Sequence, residues 1–255
     1  TEKLGVTNQA VAAQLCRDVR GLLFGPVGHS LPLFLVNGNH EAELGWLRGS
    51  PTAQSNIAVW ATQERQRYFP CPAPGSFYSG ATNIDASMLA PRDSYYSFTW
   101  GSALFVVLDP FWETAPKPGS ATCWNWTLGT NQYRWLKQTL SANTSMFTFV
   151  FIHHLAGGSF DGAARGGLTY APYFEWGGLN TNNTWGFTTN RPGMDLPIQS
   201  LLLSNGVDVV FHGHDHLFVK EDLDADGDGL SDLVYQECPQ PSATNYNTTG
   251  TAAGY

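Results

Sequence analysis

Charged side chains are scarce in this sequence of 255 residues and make up 13% of it, against roughly a quarter in an ordinary soluble domain. Basic residues are the scarcer kind, since 13 Lys and Arg stand against 21 Asp and Glu, for a net charge of -8. No basic run is present that would neutralise a series of phosphates, which argues against nucleic-acid binding. No apolar run reaches the ~18–20 residues that a bilayer requires, so the sequence predicts no membrane span.

Cysteine is also rare, and no Cys-x-x-Cys pair occurs. That absence argues against a zinc knuckle or a redox motif. The four cysteines are Cys16, Cys71, Cys123 and Cys238. Their even number favours two disulfides, for which three pairings are possible, and the alternative is four buried free thiols.

Other features are typical of a secreted or cell-surface protein. The chain opens Thr1-Glu2-Lys3 without an initiator methionine or a signal peptide, so we expect any signal peptide to lie upstream. Asn, Thr, Gly and Trp are abundant, and Asn-x-Ser/Thr sequons are present, although sequons also arise by chance in such a composition. The possible glycosylation sites are Asn125, Asn143, Asn182 and Asn247.

Hydrophobic periodicity predicts an α/β protein with a single domain over 1–240 and a polar tail over 241–255. The strand at 104–108 is apolar on both faces and is therefore expected at the centre of its sheet. Residues 156–193 lack a period and form a long excursion. Helices are expected at 9–23, 57–68, 132–140 and 195–204. Strands are expected at 33–36, 95–100, 104–108, 147–152, 207–211, 217–220 and 233–236.

Histidines follow three of these strands. Six of the seven histidines lie in the turns at Asn39-His40, His153-His154 and His212 to His216. Because ligands collect beyond the carboxyl ends of strands in α/β sheets, we expect these turns to converge on one site. Neutral imidazoles together with an amide oxygen are ligands for borderline metals, so the pattern predicts a metal centre.

These turns resemble three ordered blocks of the calcineurin-like metallophosphoesterase superfamily. The blocks are Gly38-Asn39-His40-Glu41, Phe151-Ile152-His153 and Gly213-His214-Asp215-His216. Glu175-Trp176-Gly177-Gly178 and Arg191-Pro192-Gly193 are similar to segments of secreted bacterial members. The resemblance implies an α/β sandwich of two mixed β-sheets flanked by helices, here N-terminally incomplete.

The resemblance also implies a role for each residue. Asn39, His153 and His214 would bind one metal, and His216 would bind a second. His40 would stand near the leaving group as a general acid or an electrostatic stabiliser. Glu41, His154 and His212 would support these residues without touching metal.

The implied function is metal-dependent hydrolysis of a small-molecule phosphomonoester or phosphodiester by a metal-bound hydroxide. Two transition-metal ions, of Zn, Mn or Fe, would activate the water and offset charge on the phosphoryl group. The alternative is a non-catalytic extracellular structural or binding protein on the same scaffold.

Two blocks of the superfamily are missing from this sequence. An Asp-x-His and a Gly-Asp-x-x-Asp should precede Asn39 and supply the bridging carboxylate, yet neither occurs there. Without them the metal that His216 would bind keeps that histidine as its only ligand. Three explanations stand: an incomplete chain, which we expect, ligands supplied by another chain, or a degenerate relative.

An acidic segment at 224–232 predicts a calcium loop. Carboxylates alternate along it with glycines at turn positions, and oxygen ligands select a hard cation. The expected ligands are Asp224, Asp226, Asp228, Asp232 and the Leu230 carbonyl. The twelfth position is Tyr235 in place of Glu, so this is not an EF-hand sensor, and the alternative is a solvated acidic hairpin turn.

Overall fold

A mixed sheet of seven strands, in the order β1-β2-β3-β4-β5-β7-β6, organises the part of the chain that the structure describes. The structure is a computed structural model that describes residues 8–49, 56–158 and 166–239. Strands β3, β4, β5 and β7 are parallel neighbours, whereas β1–β2, β2–β3 and β6–β7 pair antiparallel. The strands are β1 (Ser79–Gly80), β2 (Tyr96–Trp100), β3 (Ala103–Val107), β4 (Phe147–Phe151), β5 (Val209–His212), β6 (Val219–Leu223) and β7 (Leu233–Glu237).

The helices confirm the predicted periodicity. Asn8 caps the first one by accepting a hydrogen bond from the Val11 amide at 3.0 Å, as an N-cap residue does. Within the described ranges, no helix is both long and apolar enough to cross a membrane. The helices are α1 (Gln9–Val19), continued by a π-helical segment (Arg20–Phe24) and α2 (Gly25–Gly28), then α3 (Ile57–Tyr68), α4 (Gly129–Ser141), α5 (Phe174–Gly177), α6 (Phe187–Asn190) and α7 (Ile198–Ser204).

One face of the sheet carries the main core. Residues that alternate along the strands, such as Val106, Val150 and Val210, are fully buried there. They pack against the apolar sides of α4, α5 and α7 through side chains such as Leu136 and Trp176. The α/β class, with a mixed sheet and flanking helices, is confirmed.

The opposite face carries a ladder of aromatic rings that are only half-buried. Phe105 lies 5.5 Å from Phe149, and Phe151 lies 4.9 Å from Phe211, between ring centroids. All seven strands of the described residues belong to one sheet, so the second sheet implied by the resemblance is not found among them. Strand β3 lies inside the sheet, as its two apolar faces predict.

The strand predicted at 33–36 is wrong. This segment is irregular and pairs with no strand in the described part of the chain. It packs on the aromatic face instead: Phe34 stacks on Phe98 at 4.4 Å, and the Tyr96 hydroxyl donates to the Leu35 carbonyl at 3.0 Å. Apolar composition alone does not make a strand, because the backbone also needs a partner for its hydrogen bonds.

The expected disulfides are absent, since all four cysteines are free. Each lies in a separate element: Cys16 on α1, Cys71 after α3, Cys123 in a 3-10 turn, and Cys238 after β7. Cys71 and Cys123 are buried, Cys16 is half-buried and Cys238 is exposed. An even number of cysteines does not by itself bring pairs within bonding distance.

Candidate metal centre

The histidine turns meet at the carboxyl end of the parallel strands. β4 and β5 are neighbours in register, with Phe151 opposite Phe211. The turns that follow them are therefore adjacent, and the Gly213 amide donates to the His153 carbonyl at 3.0 Å. In α/β sheets, ligands bind beyond the carboxyl ends of the strands, and the histidine turns lie at that position.

Three ligand-type atoms converge at this edge. Nε2 of His153 lies 3.0 Å from Oδ1 of Asn39 and 3.2 Å from Nδ1 of His214. All three side chains are half-buried. They come from three separate turns, so a single point receives an amide oxygen and two imidazole nitrogens.

The surroundings favour neutral imidazoles, which is the state that binds metal. Burial, reinforced by the neighbouring His214, lowers the pKa of His153 to about 3. The same two causes lower the pKa of His154 well below its ordinary value.

His40 and His216 lie around the same point. Both are half-buried and close enough that their charges contribute to the lowered pKa of His153. His214 and His216 have left-handed backbone angles, with φ of 87° and 63°. Non-glycine residues adopt this conformation at a cost, and such strain clusters at functional sites.

Gly38, the first residue of the block Gly38-Asn39-His40-Glu41, packs directly against the site. Its amide donates to Oε2 of Glu41 at 2.6 Å, so Glu41 closes the turn that presents Asn39. A Cβ at Gly38 would meet that oxygen at 2.8 Å and the His153 ring at 3.3 Å. A methyl group here would therefore require the Glu41 carboxylate to move and the His153 ring to shift by a few tenths of an ångström.

The two supporting histidines have different surroundings. Nδ1 of His154 lies 3.0 Å from the Leu155 carbonyl, and its buried ring lies edge-on to Trp126. Nδ1 of the buried His212 lies 2.5 Å from Oε2 of Glu237.

Sequence reasoning missed Glu237, which ties β7 to the His214–His216 turn. Its Oε1 accepts a hydrogen bond from the Asp215 amide at 3.2 Å. The sequence could have indicated Glu237, because it continues the alternation of Leu233 and Tyr235, which are the buried positions of strand β7.

A buried cluster of charges holds the Asn39–His40 turn from the other side, and sequence reasoning missed it too. Glu43 pairs with Arg65 and with Arg92, whose Nη2 donates at 2.9 Å. The same carboxylate accepts a hydrogen bond from the side-chain Nδ2 of Asn37 at 3.5 Å. Although burial opposes ionisation, the two guanidinium groups keep the pKa of Glu43 below its ordinary value.

The two further segments quoted for the resemblance contact each other. Glu175 is fully buried, pairs with Arg191, and accepts from the Leu128 amide at 2.8 Å. Arg191 also donates to the Trp126 carbonyl at 2.8 Å. This clamp positions the tryptophan that packs against His154.

The acidic loop brings together three of its five expected calcium ligands. Carboxylate oxygens of Asp224, Asp226 and Asp232 lie within 4.8 Å of one another. The Asp228 carboxylate instead accepts from the Leu230 amide at 2.8 Å. All five residues are exposed.

The expected glycosylation sites differ in exposure. Asn182 is exposed, and Asn125 and Asn143 are half-buried. The Asn143 amide already donates to the Thr148 hydroxyl at 2.8 Å. Asn247 and the tail over 241–255 lie outside the described residues.

No protein-family model and no curated protein matches this sequence. Solved structures that are similar to it include the following two. One is PhoD, at 16% identity and a TM-score of 0.44, with 77% of this chain and 37% of that chain covered. The other is the purple acid phosphatase PPD1 from yellow lupin (Lupinus luteus) seeds, at 14% identity and a TM-score of 0.41, with 83% of this chain and 31% of that chain covered.

This chain thus spans about a third of the length of each of those structures. The chain is similar in structure to PhoD and to a purple acid phosphatase.

Proposed function

We propose that this chain is the metal-binding part of a phosphoesterase that hydrolyses a small-molecule phosphomonoester or phosphodiester. The observation that supports the proposal is the convergence of Asn39 Oδ1, His153 Nε2 and His214 Nδ1, with separations of 3.0 and 3.2 Å. The lowered pKa of His153 and the left-handed backbone of His214 are features expected of a functional site.

The donor set fits one borderline cation such as Zn, Mn or Fe. An amide oxygen and two neutral imidazoles leave a coordination position for water or substrate. For a second cation the motif resemblance offers only His216, because the two acidic blocks are not in this sequence. The residues present therefore fit one metal, and a second one requires ligands from elsewhere.

A bound cation of this kind supplies Lewis acidity, by which it lowers the pKa of water and offsets phosphoryl charge. The chain supplies the proton and the orientation. As a water oxygen bonds to phosphorus, the bond from phosphorus to the ester oxygen breaks, and His40 donates a proton to that departing oxygen. Glu41 and Glu237 hold the turns that carry His40 and His214.

Metal content and hydrolysis, measured on the same samples, test the proposal. The wild-type protein should retain about one Zn, Mn or Fe per chain and hydrolyse 4-nitrophenyl phosphate or its diester. His214→Ala should lose both properties, and His40→Ala should lose hydrolysis but keep the metal. His29→Ala is the matched control, since His29 is exposed and is the one histidine outside the three turns. Hydrolysis that survives in His214→Ala would contradict the assignment.

The missing acidic blocks favour a second candidate, a non-catalytic structural or binding protein. That reading predicts no phosphoester hydrolysis even after transition metal has been restored. Metal-loaded wild-type protein that is inactive on both chromogenic esters would support it.

The acidic loop is proposed as a calcium site with a structural role. Three carboxylates within 4.8 Å repel one another unless a cation lies between them. Titration calorimetry should detect calcium, and chelation should lower the melting temperature of wild-type protein but not of Asp226→Asn. A melting temperature that is insensitive to chelation would contradict the site.

The protein is further proposed to be secreted or displayed on a cell surface, with one domain over 1–240 and a tail over 241–255. The exposed Asn182 is the sequon best placed to carry a glycan. A mass shift on enzymatic deglycosylation, lost in Asn182→Gln, tests this placement. Protease trimming that stops near residue 240 tests the boundary.

A further inference from the structure

A cavity of about 280 Å³ opens beside His40. It lies between α1, α3 and the segment that leads to the Asn39–His40 turn. Its walls are largely apolar and include Leu15, Val19, Phe24, Leu35 and Phe69, with His40 at one side. The volume is near the lower limit for ligand pockets, so it suits a small group.

The charged groups on the cavity wall are already committed to other contacts. Arg65 pairs with Glu43 and donates to the Arg92 carbonyl at 2.8 Å. Glu41 accepts from the Gly38 amide at 2.6 Å. Because the Arg65 guanidinium on this wall is already paired with the Glu43 carboxylate, the described wall is unsuited to an anion such as a second phosphate.

We propose that this cavity binds the alcohol part of the substrate, and that the substrate is a phosphoester of an apolar alkyl or aryl alcohol. The inference rests on the proposed function and extends it. His40 joins the two regions, because it follows Asn39 in the chain and also lines the cavity. When the bond from phosphorus to the ester oxygen breaks, that oxygen takes the His40 proton, and the neutral alcohol remains among the apolar walls.

The contacts favour this class over sugar and nucleoside phosphates. A polar alcohol would lose its hydrogen bonds to water on entering an apolar wall, and that loss is unfavourable. An apolar alcohol would instead gain from removal of its surface from water.

The first test measures binding without activity. Cys16 is half-buried and lines the cavity, whereas Cys238 is exposed and lies outside it. Phenol should slow alkylation of Cys16 several-fold and leave Cys238 unchanged, as read by peptide mass spectrometry. Equal alkylation of Cys16 with and without phenol would overturn the inference, whatever the activity of the protein.

The second test compares hexyl phosphate with glucose 6-phosphate on metal-loaded protein. We expect about tenfold higher kcat/KM for hexyl phosphate. Val19→Phe, which fills the cavity, should abolish this preference, while Ala10→Phe on the exposed side of α1 should keep it. Equal rates for the two esters in wild-type protein would overturn the inference and leave the proposed function standing. Protection of Cys16 without hydrolysis of any ester would overturn the proposed function and leave the cavity as an alcohol site.

Discussion

At the scale of single residues, the candidate site depends on a close approach between Gly38 and His153. The sequence presents Gly38 as part of the Gly38-Asn39-His40-Glu41 block, and the structure adds a steric reason for the glycine. A side chain there would meet the His153 ring at 3.3 Å. Without a side chain at Gly38, the His153 ring packs against the turn that carries Asn39 without displacement.

Gly38→Ala should therefore weaken metal binding. The added methyl group displaces either the Glu41 carboxylate or the His153 ring, and losses of about 10–100-fold are typical when the support of a ligand is disturbed. A competition titration with a zinc chelator measures the affinity. Gly75→Ala is the control, because a Cβ at Gly75 meets nothing within 4 Å. Equal zinc affinities for the two variants would contradict this account.

At the scale of elements, buried charges connect α3 to the turn that carries His40. Arg65 lies on α3, and Arg92 lies in the connection before β2. Both pair with Glu43, which is 1% exposed. Removal of one partner from a buried pair leaves an uncompensated charge, which costs far more than the pair itself contributes.

Glu43→Gln should lower the free energy of unfolding by about 3–5 kcal/mol at neutral pH. Although burial opposes ionisation, Arg65 and Arg92 hold the pKa of Glu43 below its ordinary value of 4.5. The carboxylate thus stabilises the fold fully above that pH, and its contribution is lost as the pH falls through the lowered pKa. Urea unfolding at several pH values should show that the difference in unfolding free energy between wild type and Glu43→Gln becomes smaller below about pH 4.5.

The matched control is Glu113→Gln. Glu113 lies 3.8 Å from Arg48, and its side chain is half exposed. Such surface pairs contribute about 0–1 kcal/mol. If the difference in unfolding free energy between wild type and Glu43→Gln stayed constant down to pH 3, the assignment of an ionised, paired carboxylate would be contradicted.

At the scale of the whole molecule, the two faces of the sheet contribute unequally to the free energy of unfolding. Leu136 is fully buried between α4 and the sheet. Phe211 is larger but only half-buried on the opposite face. Because the cost of truncation follows the surface removed from water and the cavity left behind, the larger residue should contribute less.

Leu136→Ala should therefore lower the free energy of unfolding by about 2–5 kcal/mol, and Phe211→Ala by less. Urea denaturation measures the difference, with the same slope of unfolding free energy against urea concentration used for both variants. A larger loss for Phe211→Ala would mean that the aromatic face is covered in solution.

Local pattern determined much of this architecture. The helix predicted at 57–68 is Ile57–Tyr68, and the strands expected around 104–108 and 147–152 are Ala103–Val107 and Phe147–Phe151. Periodicity reports which side of an element meets a core, and it needs only neighbours within a turn or two. The placement of the His153-His154 and His214–His216 turns at strand ends was likewise readable from the sequence, whereas Asn39-His40 follows the irregular segment at 33–36.

Only the tertiary structure decided which of these residues meet. The parallel register of β4 and β5 brings His153 to His214, which lies 61 positions away, and Asn39 lies 114 positions from His153. The same long-range packing pairs Glu43 with two arginines, leaves 33–36 without a strand partner, and keeps the cysteines apart. Contacts between distant residues depend on how the elements pack, and no local pattern carries that information.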